Sequence, residues 1–120
     1  MRDYTKLRTF HYADALALDV YKVTRTFPKD EIFGLTSQMR RAALSVSANI
    51  VEGSFRAGEA EYLNFLNISL GSAGELGYFI TFAEKLNYLS QENARQLYEK
   101  YEICTKSLQA LISSLRKSRL

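Results

Sequence analysis

The stretch Ala94–Leu115, ARQLYEKYEICTKSLQALISSL, decides the fold of this chain. Its apolar residues recur at alternating steps of three and four, which places them along one narrow stripe of an α-helix. The residues of this stripe are Ala94, Leu97, Tyr101, Cys104, Leu108, Leu111 and Leu115. A stripe of this kind is typical of a helix in a bundle. With Ser90 as N-cap, the pattern predicts a helix from about Gln91 to Lys117.

The same spacing predicts three earlier helices. Their apolar positions are Leu16, Val20, Val23 and Phe27 in the first, Met39, Ala43, Val46 and Ile50 in the second, and Leu63, Leu66, Leu70, Ala73, Gly77 and Ile80 in the third. We expect the first helix to end before Pro28, because the residue preceding a proline disfavours the α region. The second is predicted to begin at a Thr36 cap and to end near Ser54, after one short helical turn between residues 29 and 33.

The connections between these helices are short, at residues 56–58 and 87–89, and no alternating strand pattern occurs in the sequence. The sequence therefore predicts an all-α fold, an antiparallel up-down four-helix bundle, as a single domain over residues 1–120. The chain has one cysteine and so forms no internal disulfide. No apolar run approaches the roughly 20 residues that span a bilayer. These features predict a cytoplasmic protein without a membrane partner.

Three glycines lie inside the third predicted helix, at Gly71, Gly74 and Gly77. Each destabilises a helix interior by about 0.8–1 kcal/mol relative to alanine. Close approach of another helix backbone is the favoured explanation, and a bend is the competing one. The sequence leaves open whether the neighbouring helix belongs to the same chain or to another subunit.

A polar ribbon borders the apolar stripe of the second helix. We predict a structural polar joint formed by Arg41, Asn49 and Glu52, with Glu75 brought close by antiparallel packing of the third helix. Asn49 is expected to bond to a neighbouring helix, and the nearest local partner of Glu52 is Arg56, four residues on. The alternative is a solvated edge with weak surface ion pairs.

The sequence predicts no catalytic, cofactor or metal site, and hence a protein that is not an enzyme. A di-iron bundle needs inward Glu-x-x-His motifs, but the only histidine is His11, which has no carboxylate three residues before it. Cys104 lies on the apolar stripe, where a cysteine packs as a small hydrophobic residue.

Basic residues favour an anionic partner, RNA or DNA, although the net charge of the chain is only +3. The candidate phosphate-binding residues are Arg40, Arg116, Lys117 and Arg119. The cluster at the C-terminus has a simpler explanation, because cations stabilise the negative end of a helix dipole.

Two runs carry a family resemblance: FPKDEIFGLTSQMRRAALSVSANIVEGSFR at residues 27–56 and EYLNFLNISLGSAGEL at residues 61–76. They resemble the bacterial four-helix-bundle proteins known from intervening sequences in 23S ribosomal RNA genes. The segments before Tyr12 and after Leu115 match no part of that pattern. The resemblance implies a homo-oligomer, a pentamer in this family, without an assigned biochemical activity.

The resemblance leaves two functions open. The first is a homo-oligomeric scaffold that holds RNA or DNA on its basic residues. The alternative is an accessory partner of a diversity-generating retroelement reverse transcriptase and its RNA, the role of a related branch that is similar in fold.

Overall fold

Four α-helices make up most of the protein in a computed structural model, which describes residues 2–118. They are α1 (Arg8–Val23), α2 (Leu35–Ser54), α3 (Glu59–Lys85) and α4 (Gln91–Ser118). Short 3-10 turns lie at Tyr4–Lys6, Thr24–Thr26 and Lys29–Glu31, and these described residues contain no strand. The prediction of an all-α four-helix bundle is confirmed.

Two hydrogen bonds fix the register of α2 against α3. The Ser45 and Ser72 hydroxyls lie 2.7 Å apart, and the Ser69 hydroxyl donates to the Val46 carbonyl oxygen at 2.7 Å. The residue number rises along α2 as it falls along α3, so the two helices are antiparallel. Each helix packs against the next in the chain and α1 also packs against α4, which is consistent with up-down order.

One hydrophobic core draws side chains from all four helices, and it contains most of the predicted apolar positions. Its fully buried members include Leu16, Met39, Leu66, Leu76 and Leu108. Burying a side chain of this size stabilises the fold by about 1.5–3 kcal/mol. The predicted stripe of α4 shifts near its end, where Ile112 is buried while Leu111 and Leu115 are only partly buried.

The helix ends have local causes. The Ser90 hydroxyl accepts the backbone N–H of Asn93 at 3.0 Å, which confirms the cap of α4. The predicted Thr36 cap is wrong, because α2 begins at Leu35 and the Leu35 N–H donates to the Glu31 carboxylate at 3.0 Å. Asn87 has a φ of 63°, the left-handed conformation that commonly ends a helix, and it comes directly after Leu86, the C-cap of α3.

Candidate interaction surfaces

A serine bridge joins α2 to α3 at the middle of the bundle. Asn49 does not bond to the neighbouring helix as expected, since its amide donates to the Ser45 carbonyl at 2.8 Å and to the Ser45 hydroxyl at 3.0 Å. The cross-helix contact is instead the Ser45–Ser72 pair, supported one turn away by buried Ser69. In the sequence, the only indication of this bridge is that the serines lie next to the apolar stripes of the two helices.

Glu52 is separate from this bridge. Its carboxylate pairs with Arg56, the predicted local partner, and both side chains are at least 40% exposed. The Arg56 guanidinium also lies 4.7 Å from the centre of the Phe65 ring. Exposed pairs contribute little to stability, so Glu52 is a surface group at the end of α2 rather than part of an internal joint.

Arg41 and Glu75 line one polar cleft of about 320 Å³ between α2 and α3. The serine bridge forms part of its wall, together with Gln38. Both charged residues are exposed, and neither forms an ion pair with another residue in the range 2–118. The predicted approach of Glu75 to Arg41 therefore produces a shared cleft but no salt bridge.

Arg40 binds residues at the end of α1, unlike its neighbour Arg41. Its guanidinium donates to the Thr24 hydroxyl at 2.9 Å and to the Tyr21 carbonyl at 3.4 Å, and it lies 4.7 Å from the centre of the Tyr21 ring. These contacts satisfy acceptors at the C-terminal end of α1, where a cation is also favoured by the helix dipole. Arg40 is therefore a poor candidate for phosphate binding.

Two other predicted basic residues, Arg116 and Lys117, lie toward the opposite end of the bundle. Arg116 donates to the Asn67 side chain at 3.3 Å, near the start of α3, and Lys117 is exposed. Arg119 lies outside the described residues. Arg40 is near the start of α2 and Arg116 near the end of α4, and these ends are far apart because α2 and α4 run in the same direction in up-down order. Phosphate binding by these residues stays a prediction.

Two residues that the prediction omitted, Lys6 and Arg8, lie at the same end as Arg116 and Lys117. The α1 start is placed there by the contact between the hydroxyls of Thr9 and Ser107, 2.7 Å apart. All four cations are exposed, and none pairs with a carboxylate within the described part of the chain. We call these four residues the basic end.

The glycines of the bundle fall into two groups. A Cβ placed at Gly77 would lie 2.6 Å from the Tyr101 ring, and one at Gly53 would lie 3.0 Å from the Phe65 Cβ. Gly71 and Gly74 have no atom within 4 Å of the same position. The expected close helix backbone is not found at Gly77, where the side chain of Tyr101 on α4 occupies the space. No contact among residues 2–118 accounts for the other two.

An exposed face of α3 surrounds these open glycines. Gly71, Gly74, Tyr78 and Phe82 follow one another along it at steps of three and four, and we call them the glycine surface. Tyr78 is 60% exposed, and its ring centre lies 5.9 Å from that of Phe82. This helix face carries exposed aromatic rings and leaves open space at its two glycines. Exposed apolar surface of this kind often marks a contact with another protein.

A second apolar face lies on the other side of α2. Leu18 and Leu44 are 58% and 47% exposed, and they border a groove of about 230 Å³ between α1 and α2. We call Leu18 and Leu44 the leucine surface. Phe33, two residues before the start of α2, is 94% exposed. A phenylalanine held almost wholly in water is unfavourable in the isolated chain and is typical of a contact residue.

Glu31 fixes the loop that presents Phe33. Its carboxylate accepts the Leu35 N–H at 3.0 Å and the Tyr88 hydroxyl at 2.8 Å. The bond from Leu35, followed by that from Tyr88, holds the pKa of the Glu31 carboxyl below its ordinary value. The Phe33 segment is thus tied both to α2 and to the loop after α3.

Among residues 2–118 the possible metal ligands form no cluster, and the one thiol, that of Cys104, is buried. No three side chains of His, Cys, Asp or Glu come together there as metal ligands. The Cys104 thiol is fully buried, and burial raises its pKa to about 11, so it stays protonated and unreactive. In the same residues, no helix has the length and apolar character needed to span a membrane.

Comparison with known proteins places these surfaces in context. Residues 5–110 match a family described as "23S rRNA-intervening sequence protein". Among solved structures, the chain resembles the crystal structure of a protein of unknown function from the S23 ribosomal protein family of Bacteroides thetaiotaomicron VPI-5482, with a TM-score of 0.78 and 23% identity. The match covers 87% of this chain and 97% of that one, and it supports the fold. No curated protein matches the sequence.

The extent of the family match corrects one expectation. It begins at residue 5, so the N-terminal segment before Tyr12 lies largely within the family pattern. It ends at residue 110, and Arg116, Lys117 and Arg119 lie beyond it. Of the four residues of the basic end, Lys6 and Arg8 fall inside the matched range.

Proposed function

The chain belongs to the 23S rRNA-intervening sequence protein family, and from that premise we propose that it is a non-enzymatic, homo-oligomeric scaffold. The observation that carries the proposal is the pair of open glycines on α3. Gly71 and Gly74 weaken their helix by about 0.8–1 kcal/mol each relative to alanine, and no contact with another described residue needs the space. A contact made only in an assembly explains both positions.

The exposed apolar residues support the same proposal. Phe33, Leu18 and Tyr78 are each more than half exposed, and they lie on separate elements of the bundle. Apolar surface left in water by the monomer becomes a source of stability when a partner covers it. The resemblance to pentameric relatives makes a pentamer the expected assembly.

Light scattering on the purified chain tests the proposal directly. We expect a mass that is a whole multiple of the 13.7 kDa chain and that does not change on moderate dilution. A particle of 13.7 kDa at all concentrations would overturn the scaffold function.

Nucleic-acid binding is a second component of the proposal, and the basic end supports it. Four exposed cations without carboxylate partners among residues 2–118 are repeated in every subunit, so an assembly multiplies a charge that is small in one chain. The alternative role, as a partner of a retroelement reverse transcriptase and its RNA, uses the same cations.

Binding of a fluorescent single-stranded RNA, measured over a range of salt concentrations, tests this component. We expect affinity to fall steeply as salt rises, and the double variant Arg116→Ala/Lys117→Ala to reduce both affinity and salt slope. Lys85→Ala is the matched control, since Lys85 is an exposed cation at the opposite end of α3. Equal losses in the two variants, or binding indifferent to salt, would contradict a role for the basic end.

A further inference from the structure

The glycine surface and the leucine surface lie at the same height in the bundle. The bridge from Ser45 to Ser72 fixes the register of α2 and α3, so Leu44 lies level with Ala73, between Gly71 and Gly74. One surface lacks side chains where the other presents an exposed leucine. Leu44 does not reach the glycines of its own chain, since no described residue of another helix comes within 4 Å of a Cβ placed at Gly71 or Gly74.

The register also aligns the ends of the two surfaces. Continuing it by ten residues places the start of α2, at Leu35, level with Thr81 and Phe82. Phe33 lies two residues before that start, and the bonds of Glu31 to Leu35 and Tyr88 hold its loop in place. The exposed phenylalanine of one face therefore stands level with the aromatic pair Tyr78 and Phe82 of the other.

Two residues of opposite charge, Arg41 and Glu75, lie at the same height beside the two surfaces. Arg41 lies one turn before Leu44 and borders the leucine surface, whereas Glu75 follows Gly74 and borders the glycine surface. The register places Arg41 and Glu75 level with each other, on the two sides of the polar cleft. Each is exposed, and neither pairs with another described residue.

From these matches we propose that a second copy of this chain occupies the glycine surface, with its bundle standing parallel and its leucine surface facing inward. Leu44 of one copy packs over Gly71 and Gly74 of the next, Phe33 meets Tyr78 and Phe82, and Arg41 pairs with Glu75. This contact rests on the proposed scaffold function and gives it a geometry. It is heterologous, because the two surfaces differ, and repetition of such a contact generates a ring when the rotation closes.

A second copy explains the surfaces better than an unrelated partner does. Complementary shape, aromatic residues and charge occur at three matched heights on one chain, and parallel copies related by rotation about an axis along the bundle keep those heights equal. An unrelated partner gives no reason for the two faces of the same chain to correspond.

Two single variants test the contact, and each removes one face only. Gly71→Leu fills the open position on α3, and Leu44→Asp puts a charge on the exposed leucine of α2. We expect each variant to keep its helical circular dichroism and to fall in mass to the single chain of 13.7 kDa. The controls are Ala110→Leu and Ile103→Asp, the same kinds of change at exposed positions of α4.

Mixing the two variants then distinguishes a head-to-tail contact from a symmetric one. The Gly71→Leu variant keeps an intact leucine surface, and the Leu44→Asp variant keeps an intact glycine surface, so the mixture is expected to form a dimer of twice 13.7 kDa and nothing larger. A mixture that stays monomeric overturns the head-to-tail arrangement.

The masses of the unmodified chain and of the two variants distinguish failure of this subunit contact from failure of the proposed scaffold function. If the unmodified chain assembles and both variants assemble equally well, the contact is wrong while the scaffold function stands. If Gly71→Leu alone loses helical signal, Gly71→Gln replaces it, with the same mass expected. An unmodified chain that is monomeric overturns both proposals.

Discussion

Gly77 and Gly74 are three residues apart on the same helix, and they differ in what surrounds them. The ring of Tyr101 occupies the space beside Gly77, whereas Gly74 and nearby Gly71 face open space. The helix loses the same propensity at all three positions. At Gly77 the loss is offset by a contact within the chain, so its substitution reports on folding. At Gly71 and Gly74 no contact in the described part of the chain offsets the loss, so we expect substitution there to report on assembly.

The largest expected effect comes from Gly77→Leu. Its Cβ alone would lie 2.6–2.9 Å from three atoms of the Tyr101 ring, and the rest of the leucine must displace that ring from the space between α3 and α4. We expect a loss of about 2–3 kcal/mol of unfolding free energy, the upper range for overpacking. Thermal or urea denaturation measures it, and a melting temperature equal to that of the unmodified chain would contradict the comparison.

Gly71→Ala and Gly74→Ala are expected to stabilise the monomer, in contrast to Gly77→Leu. In the Leu44→Asp background, which we expect to be monomeric, each change should raise the unfolding free energy by about 0.8–1 kcal/mol, because alanine is the better helix former. For a domain of this size that is about 4 °C in melting temperature. Destabilisation by either alanine would show that a contact inside the chain needs the glycine.

Glu31→Gln tests the loop that presents Phe33. The folded-state pKa of the Glu31 carboxyl is lowered from 4.5, so its contribution to stability is present above that pH and is lost as pH falls through the folded pKa. We expect the variant to melt below the unmodified chain at pH 7 and the difference to shrink in acid. A difference that does not change with pH would exclude the carboxylate as its cause. Asp30→Asn, at an exposed neighbouring carboxylate, is the control.

The smallest effect is expected from Glu52→Ala. Its pair with Arg56 is exposed and spans one helical turn, so its loss should lower stability by about 0.3–0.5 kcal/mol. The mass of the assembly should not change, because Glu52 borders neither the leucine surface nor the glycine surface. Dissociation of the assembly by this variant would restore the predicted role of Glu52 as a joint. Light scattering measures the mass of the assembly, and thermal denaturation measures the loss of stability.

The spacing of apolar residues was sufficient to predict the helices and most of the core residues, because burial on a helix repeats with the helical turn. It was insufficient where the partner lies on another element. Arg40 and Arg41 are adjacent arginines beside the same apolar stripe, yet one binds Thr24, directly after α1, and the other faces the polar cleft. The choice depends on how α1 and α3 flank α2, which spacing along α2 does not encode.

The glycines show the same limit. The run Ser69–Gly77 indicates a helix with small residues, but whether each one meets a ring, a serine or open space depends on rotation of α3 about its axis. Asn49 was expected to reach another helix and instead bonds within α2, since Ser45 lies one turn away on the same face. Local alternatives of this kind compete with every cross-helix prediction.

The buried Cys104 gives the bundle a built-in kinetic probe. It is the only cysteine in the sequence, and it is fully buried between the helices. A thiol reagent therefore modifies the protein only when α4 separates from its neighbours, and the labelling rate follows that opening without any engineered change. Labelling measured across dilution reports whether the opening is that of a free chain or of a subunit held by others.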